Sequence, residues 1–140
     1  MGSVKDILIT NPRIISVPGG DVMHAIKKAD IGYKGFGEAY FSNISMGAVK
    51  AWKMHLKMTL NLVVPVGEVL FNFVDEQGET AQIIMGASDY KRLTVPPGIW
   101  FGFKGLSKEK SLLLNIADIP HDPVEVERKN LLEIQVNWES

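Results

Sequence analysis

The sequence predicts an all-β fold, a sandwich or barrel of short strands. Three observations carry this expectation. Glycine and proline recur at short intervals, 13 and 7 of them in 140 residues. The runs between them are rich in β-branched and aromatic residues. No repeat, low-complexity tract or linker divides the chain, so residues 1–140 read as a single domain with one core. A chain of this length buries roughly two-thirds of its unfolded surface. Its hydrophobic fraction of 46% argues against disorder.

Residues 7–10 and 13–17 read as the first strands, ending at Pro18-Gly19-Gly20. An irregular segment at about 18–35 follows. Within it, residues 21–33 mix His24 with lysines and aspartates and predict an excursion or one short helix. Strand character returns at 36–45 and 49–58. It continues through 61–66, 68–75, 81–85, 91–95, 100–103 and 111–116. Asp75-Glu76-Gln77-Gly78 has the composition of a hairpin turn, since glycine accepts positive φ there. A C-terminal extension spans about 117–140, with a helical turn expected over 124–132 and a last strand over 134–138.

Charge and composition exclude several function classes. A net charge of −1 argues against a general electrostatic grip on nucleic acid or an acidic membrane surface. The absence of cysteine excludes disulfides and thiolate chemistry and fits a reducing compartment. No basic-then-apolar leader pattern opens the chain, and no apolar run approaches the ~18 residues of a membrane span. The expectation is a cytoplasmic protein.

Residues 52–58 alternate cleanly. Trp52, Met54, Leu56 and Met58 share one strand face, and Lys53, His55 and Lys57 share the other. Alternation alone leaves open which face is buried. Spacing in two separated segments decides the question. In the first, Gly47 and Gly67 frame Lys53, His55 and Leu60; in the second, Pro96-Pro97-Gly98 precedes Phe101. This register resembles the two motifs of a cupin, a double-stranded β-helix or jelly-roll barrel, over about residues 36–116. The resemblance aims Lys53 and His55 into the barrel. It leaves the apolar row of Trp52, Met54 and Leu56 for a second sheet or a partner subunit, so a homodimer is expected.

The positions of a cupin's four metal ligands hold Lys53, His55, Leu60 and Phe101. A catalytic metal needs about three protein ligands, and an ammonium at Lys53 repels a cation. No metal and no other cofactor is therefore expected. Among metal-free cupins, the segments 47–55 and 95–103 resemble the dTDP-4-keto-6-deoxyglucose 3,5-epimerases and the related 3,4-ketoisomerases. The tail with His121-Asp122-Pro123, Glu125, Arg128 and Trp138 is similar to that family's C-terminal segment. The resemblance implies an isomerase of nucleotide-linked deoxysugars. Lys53 stands where the epimerases carry their histidine base. Leu113 and Leu114 fall where their tyrosine is expected.

Proton abstraction next to a ketone needs a base near neutrality and a partner for the developing enolate oxygen. Lys53 and His55 are the candidate catalytic residues, since a desolvated lysine and a histidine both suit these tasks. Asn61, Asn115 and His121 are candidate polar contacts to a sugar, and Tyr40 or Trp100 a candidate aromatic wall. Asn115 interrupts an apolar run, where a buried amide needs partners. His24 reads as a solvated loop residue, and Lys104, Lys108 and Lys110 as a solvated turn. A cupin that binds a sugar without turnover is the alternative function. A metal-dependent enzyme using His55, His121 and Glu38 or Glu68 is a third.

Overall fold

The computed structural model describes residues 2–139. Twelve strands follow in chain order: β1 (Leu8–Thr10), β2 (Ile14–Ile15), β3 (Val22–Met23), β4 (Glu38–Ile44), β5 (Val49–His55) and β6 (Leu60–Val66) come first. They continue as β7 (Glu68–Val74), β8 (Thr80–Gly86), β9 (Arg92–Val95), β10 (Trp100–Gly105), β11 (Ser111–Ala117) and β12 (Val126–Arg128). Ten of them form two five-stranded antiparallel sheets, ordered β1-β9-β6-β11-β4 and β12-β5-β10-β7-β8. The sheets pack face to face as the jelly-roll barrel that the spacing predicted. Leu60, Leu62, Val64, Leu93 and Leu113 of the first sheet meet Val69, Phe71, Phe73 and Met85 of the second in one buried cluster.

Two glycines explain why the motif spacing reads so clearly. Gly67 joins β6 to β7 with φ of 84°, and a Cβ there would lie 2.4 Å from Ser111 Oγ. Gly98 turns the chain after Pro96-Pro97 with φ of 87°, and its N–H donates to the His55 carbonyl at 2.8 Å. The second motif is thereby tied to the first. The Asp75 turn is also as expected. Its carboxylate accepts from the amides of Gln77 and Glu79, and also from Val4, which anchors the 3₁₀ turn Val4–Asp6.

The segment after β1 holds no helix; it forms the small β2–β3 hairpin and then runs over the outer face of the β4 sheet. Buried Arg92 donates to the carbonyls of Ala25 and Ile31, at 2.9 and 2.8 Å, and Tyr90 to that of His24. Polar side chains therefore hold residues 24–32 where a helix would need an apolar stripe.

The C-terminal extension departs from expectation in two places. Residues 126–128, expected in a helical turn, add strand β12 to the edge of β5, because that edge has free backbone groups to pair. Residues 134–138 form no strand, and side chains hold them in place of a ladder. Asn72 and Gln82 donate to the Asn137 carbonyl, and Lys104 to that of Trp138. Lys104 is thus a tether and not part of a solvated turn. Ile134, Val136 and Trp138 cover Trp52, Met54 and Trp100 on the outer face of the β5 sheet. Trp52 and Met54 are therefore covered by the chain's own tail, while Leu56 stays exposed. The row that motivated a dimer needs no second subunit. No helix among the described residues is long and apolar enough to cross a membrane.

Candidate active site

A cavity of about 610 Å³ lies between the two sheets. Its apolar floor is Leu62, Phe101, Phe103 and Leu113. Lys53 and His55 line the β5 wall, and Tyr40, Ser42 and Asn115 the opposite wall, from β4 and β11. The barrel register had aimed Lys53 and His55 at this space, with Trp52 and Met54 on the outer face of the sheet. A bulge between the pairs Phe101↔Lys53 and Phe103↔Lys50 bends β5 beside the site. Lys50, Arg128, Lys129, Asn130 and Glu133 complete the lining.

The central feature is a buried pair. His55 is 7% exposed and Glu125 2%, and His55 Nδ1 lies 2.5 Å from Glu125 Oε1. The other carboxylate oxygen accepts from the amides of Lys57 and Met58, each at 3.1 Å. Burial opposes charge on Glu125. Hydrogen bonds from His55 and the two amides outweigh it and hold the carboxyl below the usual carboxylate range. Burial pushes the His55 imidazole below its ordinary value, with Glu125 pulling the other way and Lys53 and Arg128 adding to the drop. The consistent state is a neutral imidazole facing an ionised carboxylate. An ionised carboxylate only accepts, so Nδ1 carries the proton and Nε2 keeps its lone pair. The ring stacks on Phe101, centroids 6.1 Å apart. Lys53 is half-buried, and desolvation, then Arg128 and Lys50, lowers its pKa from the ordinary lysine value.

Four sequence candidates therefore share the cavity: Lys53, His55, Tyr40 and Asn115. Asn115 Nδ2 donates to Tyr40 Oη at 3.0 Å. Three candidates lie elsewhere. Asn61 faces the outer side of its sheet, donating to the Gly32 carbonyl and accepting from Thr94. Trp100 packs under the tail with Trp52, its ring capped by Lys129 Nζ at 4.8 Å. His121 is on the surface, its amide bonded to Glu38. Among the described residues, no three His, Cys, Asp or Glu side chains converge as a metal cage. Sequence reasoning missed Glu125 as a site residue, and also Ser42 and the cations Lys50, Arg128 and Lys129. Glu125 and Arg128 had entered only within the tail's family resemblance.

No protein-family model matches the chain. A solved dTDP sugar isomerase from Desulfovibrio desulfuricans G20 is 34% identical. The match covers 96% of this chain and 92% of that one, with a TM-score of 0.91. A dTDP-4-dehydrorhamnose 3,5-epimerase from Elizabethkingia anophelis NUHP1 superposes with a TM-score of 0.81 over all of this chain and 85% of that one. At 17% identity this likeness speaks for the fold alone. A Haloferax volcanii protein described as a probable low-salt glycan biosynthesis epimerase is 31% identical over 84 residues, 55% of this chain. The match spans 54% of that curated relative, about half its length.

Proposed function

The chain belongs to the cupin-fold sugar-nucleotide epimerase and isomerase family, and we propose that it is a metal-independent epimerase or isomerase of a nucleotide-linked 4-keto-6-deoxy sugar. The reaction is proton transfer at a carbon next to the ketone. The observation that carries this reading is the His55–Glu125 pair on the cavity wall. His55 Nε2 takes the proton from the carbon, and Glu125 holds the ring and stabilises the imidazolium that forms. The electron pair moves onto the ketone oxygen, where the Lys53 ammonium offsets the developing charge. Lys50 and Arg128 form a basic rim suited to the diphosphate of the nucleotide. The apolar floor suits the sugar's deoxy carbon, and Asn115 its hydroxyls.

Incubation in D₂O with TDP-4-keto-6-deoxyglucose tests the reading. Deuterium is expected at a carbon flanking the ketone. Binding of the nucleotide sugar without any exchange would identify a non-catalytic binding cupin instead.

A homodimer is part of this reading, placed on a different face from the one first expected. Phe41, 63% exposed, pairs with Leu114 on the outer face of the β4 sheet, and Met46 in the β4–β5 connection and Val66 at the end of β6 are also exposed. Sedimentation is expected to give a dimer that Phe41→Glu dissociates. We take the compartment to be the cytoplasm, in keeping with a chain that has no cysteine.

A further inference from the structure

We infer that the C-terminal tail, residues 129–139, is a strap that shapes one side of the cavity mouth, and that Trp138, on the outer face of the barrel, is the positioning residue that anchors it. Docking of the tail and binding of a nucleoside diphosphate are then coupled. The inference rests on the function just proposed, which places the diphosphate on Lys50 and Arg128.

The strap begins at the site. Arg128, the last residue of β12, pairs with Lys53. Lys129 then exchanges two backbone hydrogen bonds with Trp52, at 3.0 and 3.1 Å. Asn130 and Glu133 line the mouth, and the Asn130 amide donates to the Glu133 carboxylate across one 3₁₀ turn, Leu131–Glu133. The Trp52 indole N–H donates to the Leu131 carbonyl at 3.2 Å and ties that turn to β5. Lys129 Nζ lies over the Trp100 ring, so this cation belongs to the strap and not to the phosphates.

The strap ends on the outer face of the same sheet. Ile134, Val136 and Trp138 alternate with exposed residues and cover Trp52, Met54 and Trp100. The rings of Trp138 and Trp52 are 5.5 Å apart. At Gly102 of β10 a Cβ would lie 2.5 Å from Ala51 Cβ and 3.0 Å from Trp138 Cη2, so the indole is seated against backbone that must stay bare. Asn72, Gln82 and Lys104 hold the carbonyls of residues 137 and 138. A segment fixed by side chains and one apolar contact opens at a lower free energy than the barrel does. When it lifts, the mouth loses Asn130 and Glu133 from their places. A ligand that touches the mouth therefore favours the docked tail, and by linkage the docked tail favours the ligand to the same degree.

Trp138→Ala and the conservative Trp138→Phe, titrated with TDP by calorimetry, test the coupling. Trp138→Ala is expected to weaken TDP about tenfold and to raise KM for TDP-4-keto-6-deoxyglucose in step. Its kcat is expected to stay within a few-fold of the parent protein, because the amides of Lys57 and Met58, not the tail, hold the His55–Glu125 pair. Trp138→Phe is expected to recover most of the affinity. Carboxypeptidase digestion reads the same coupling in the unaltered protein, where saturating TDP is expected to slow removal of Trp138 several-fold. Unchanged TDP affinity in Trp138→Ala, or digestion indifferent to TDP, overturns the inference and leaves the proposed function intact. A fall in kcat with KM unchanged also overturns it. A parent protein that binds neither TDP nor TDP-4-keto-6-deoxyglucose overturns both.

Discussion

Asn61 and Asn115 sit on neighbouring strands of one sheet, and both are buried, yet they face opposite sides. The register pairs Asn115 with Leu62 and Ile116 with Asn61, so the two amides are one residue out of step. Asn61 uses both ends of its amide, on the Gly32 carbonyl and on Thr94, and so fastens residues 24–32 to the barrel. Asn115 bonds Tyr40 at one end, and its oxygen is buried without a partner. On the outer face Asn61 spends its amide on the fold, while on the inner face Asn115 stands on the cavity wall beside Tyr40 with one end uncommitted.

The sharpest way to test this division is to remove one group from each side. His55→Ala is expected to lower turnover by ~10³-fold and to abolish deuterium wash-in, whereas Asn61→Leu leaves the rate per folded molecule unchanged. Steady-state rates normalised to folded protein decide it; equal losses would erase the distinction between the faces. Glu125→Gln ranks next, at about 10²-fold in rate, because it removes the charge that orients and stabilises the imidazole. Stability reverses the ranking. Asn61→Leu leaves the Gly32 carbonyl and Thr94 hydroxyl short of partners and is expected to cost about 1–3 kcal/mol in urea unfolding. Asn115→Leu removes an already unpartnered oxygen and is expected to cost less than ~1 kcal/mol.

The smallest effect is a shift along the pH axis. As the proposed base His55 acts only when neutral, and its pKa is lowered from 6.5. The acid limb of kcat/KM is therefore expected below that value, with activity present above it and lost as pH falls. Glu125 pulls the His55 pKa upward, so Glu125→Gln is expected to move the limb lower still. Stability follows the same sign. The unfolded chain takes up a proton near the ordinary histidine value before the folded one does, so this contribution is lost as pH falls through the folded pKa. A limb above 6.5 in the parent protein would mean that the pull of Glu125 outweighs burial at His55.

The barrel was legible because its turns are written in backbone chemistry: Gly67 and Gly98 hold conformations that few other residues adopt, and their spacing frames the strands. Lys53 and His55 were legible through that same frame. Asn61 was not, since residue type cannot reveal a face that one step of register decides. Strand β12 was hidden for a different reason. Val126-Glu127-Arg128 has little strand character of its own and pairs because β5 offers an open edge. Residues 134–138 carry the right alternation, with Ile134, Val136 and Trp138 inward, but side-chain donors fix them and no ladder forms. Trp100 resembled a binding aromatic only until its cover, the distant tail, was known. Glu125 acts across 70 residues of sequence on His55, and no local pattern marks such a contact.

The two oxygens of Glu125 have separate holders, one an imidazole and the other a pair of peptide N–H groups. A carboxylate bound only to the histidine would be free to swing about its own torsions and carry the ring with it. Here the amides of Lys57 and Met58 remove that freedom, so the aim of His55 derives from main-chain planes instead of side-chain rotamers. For the proposed base, the entropy of orientation is then lost during folding, once, and not again at each turnover.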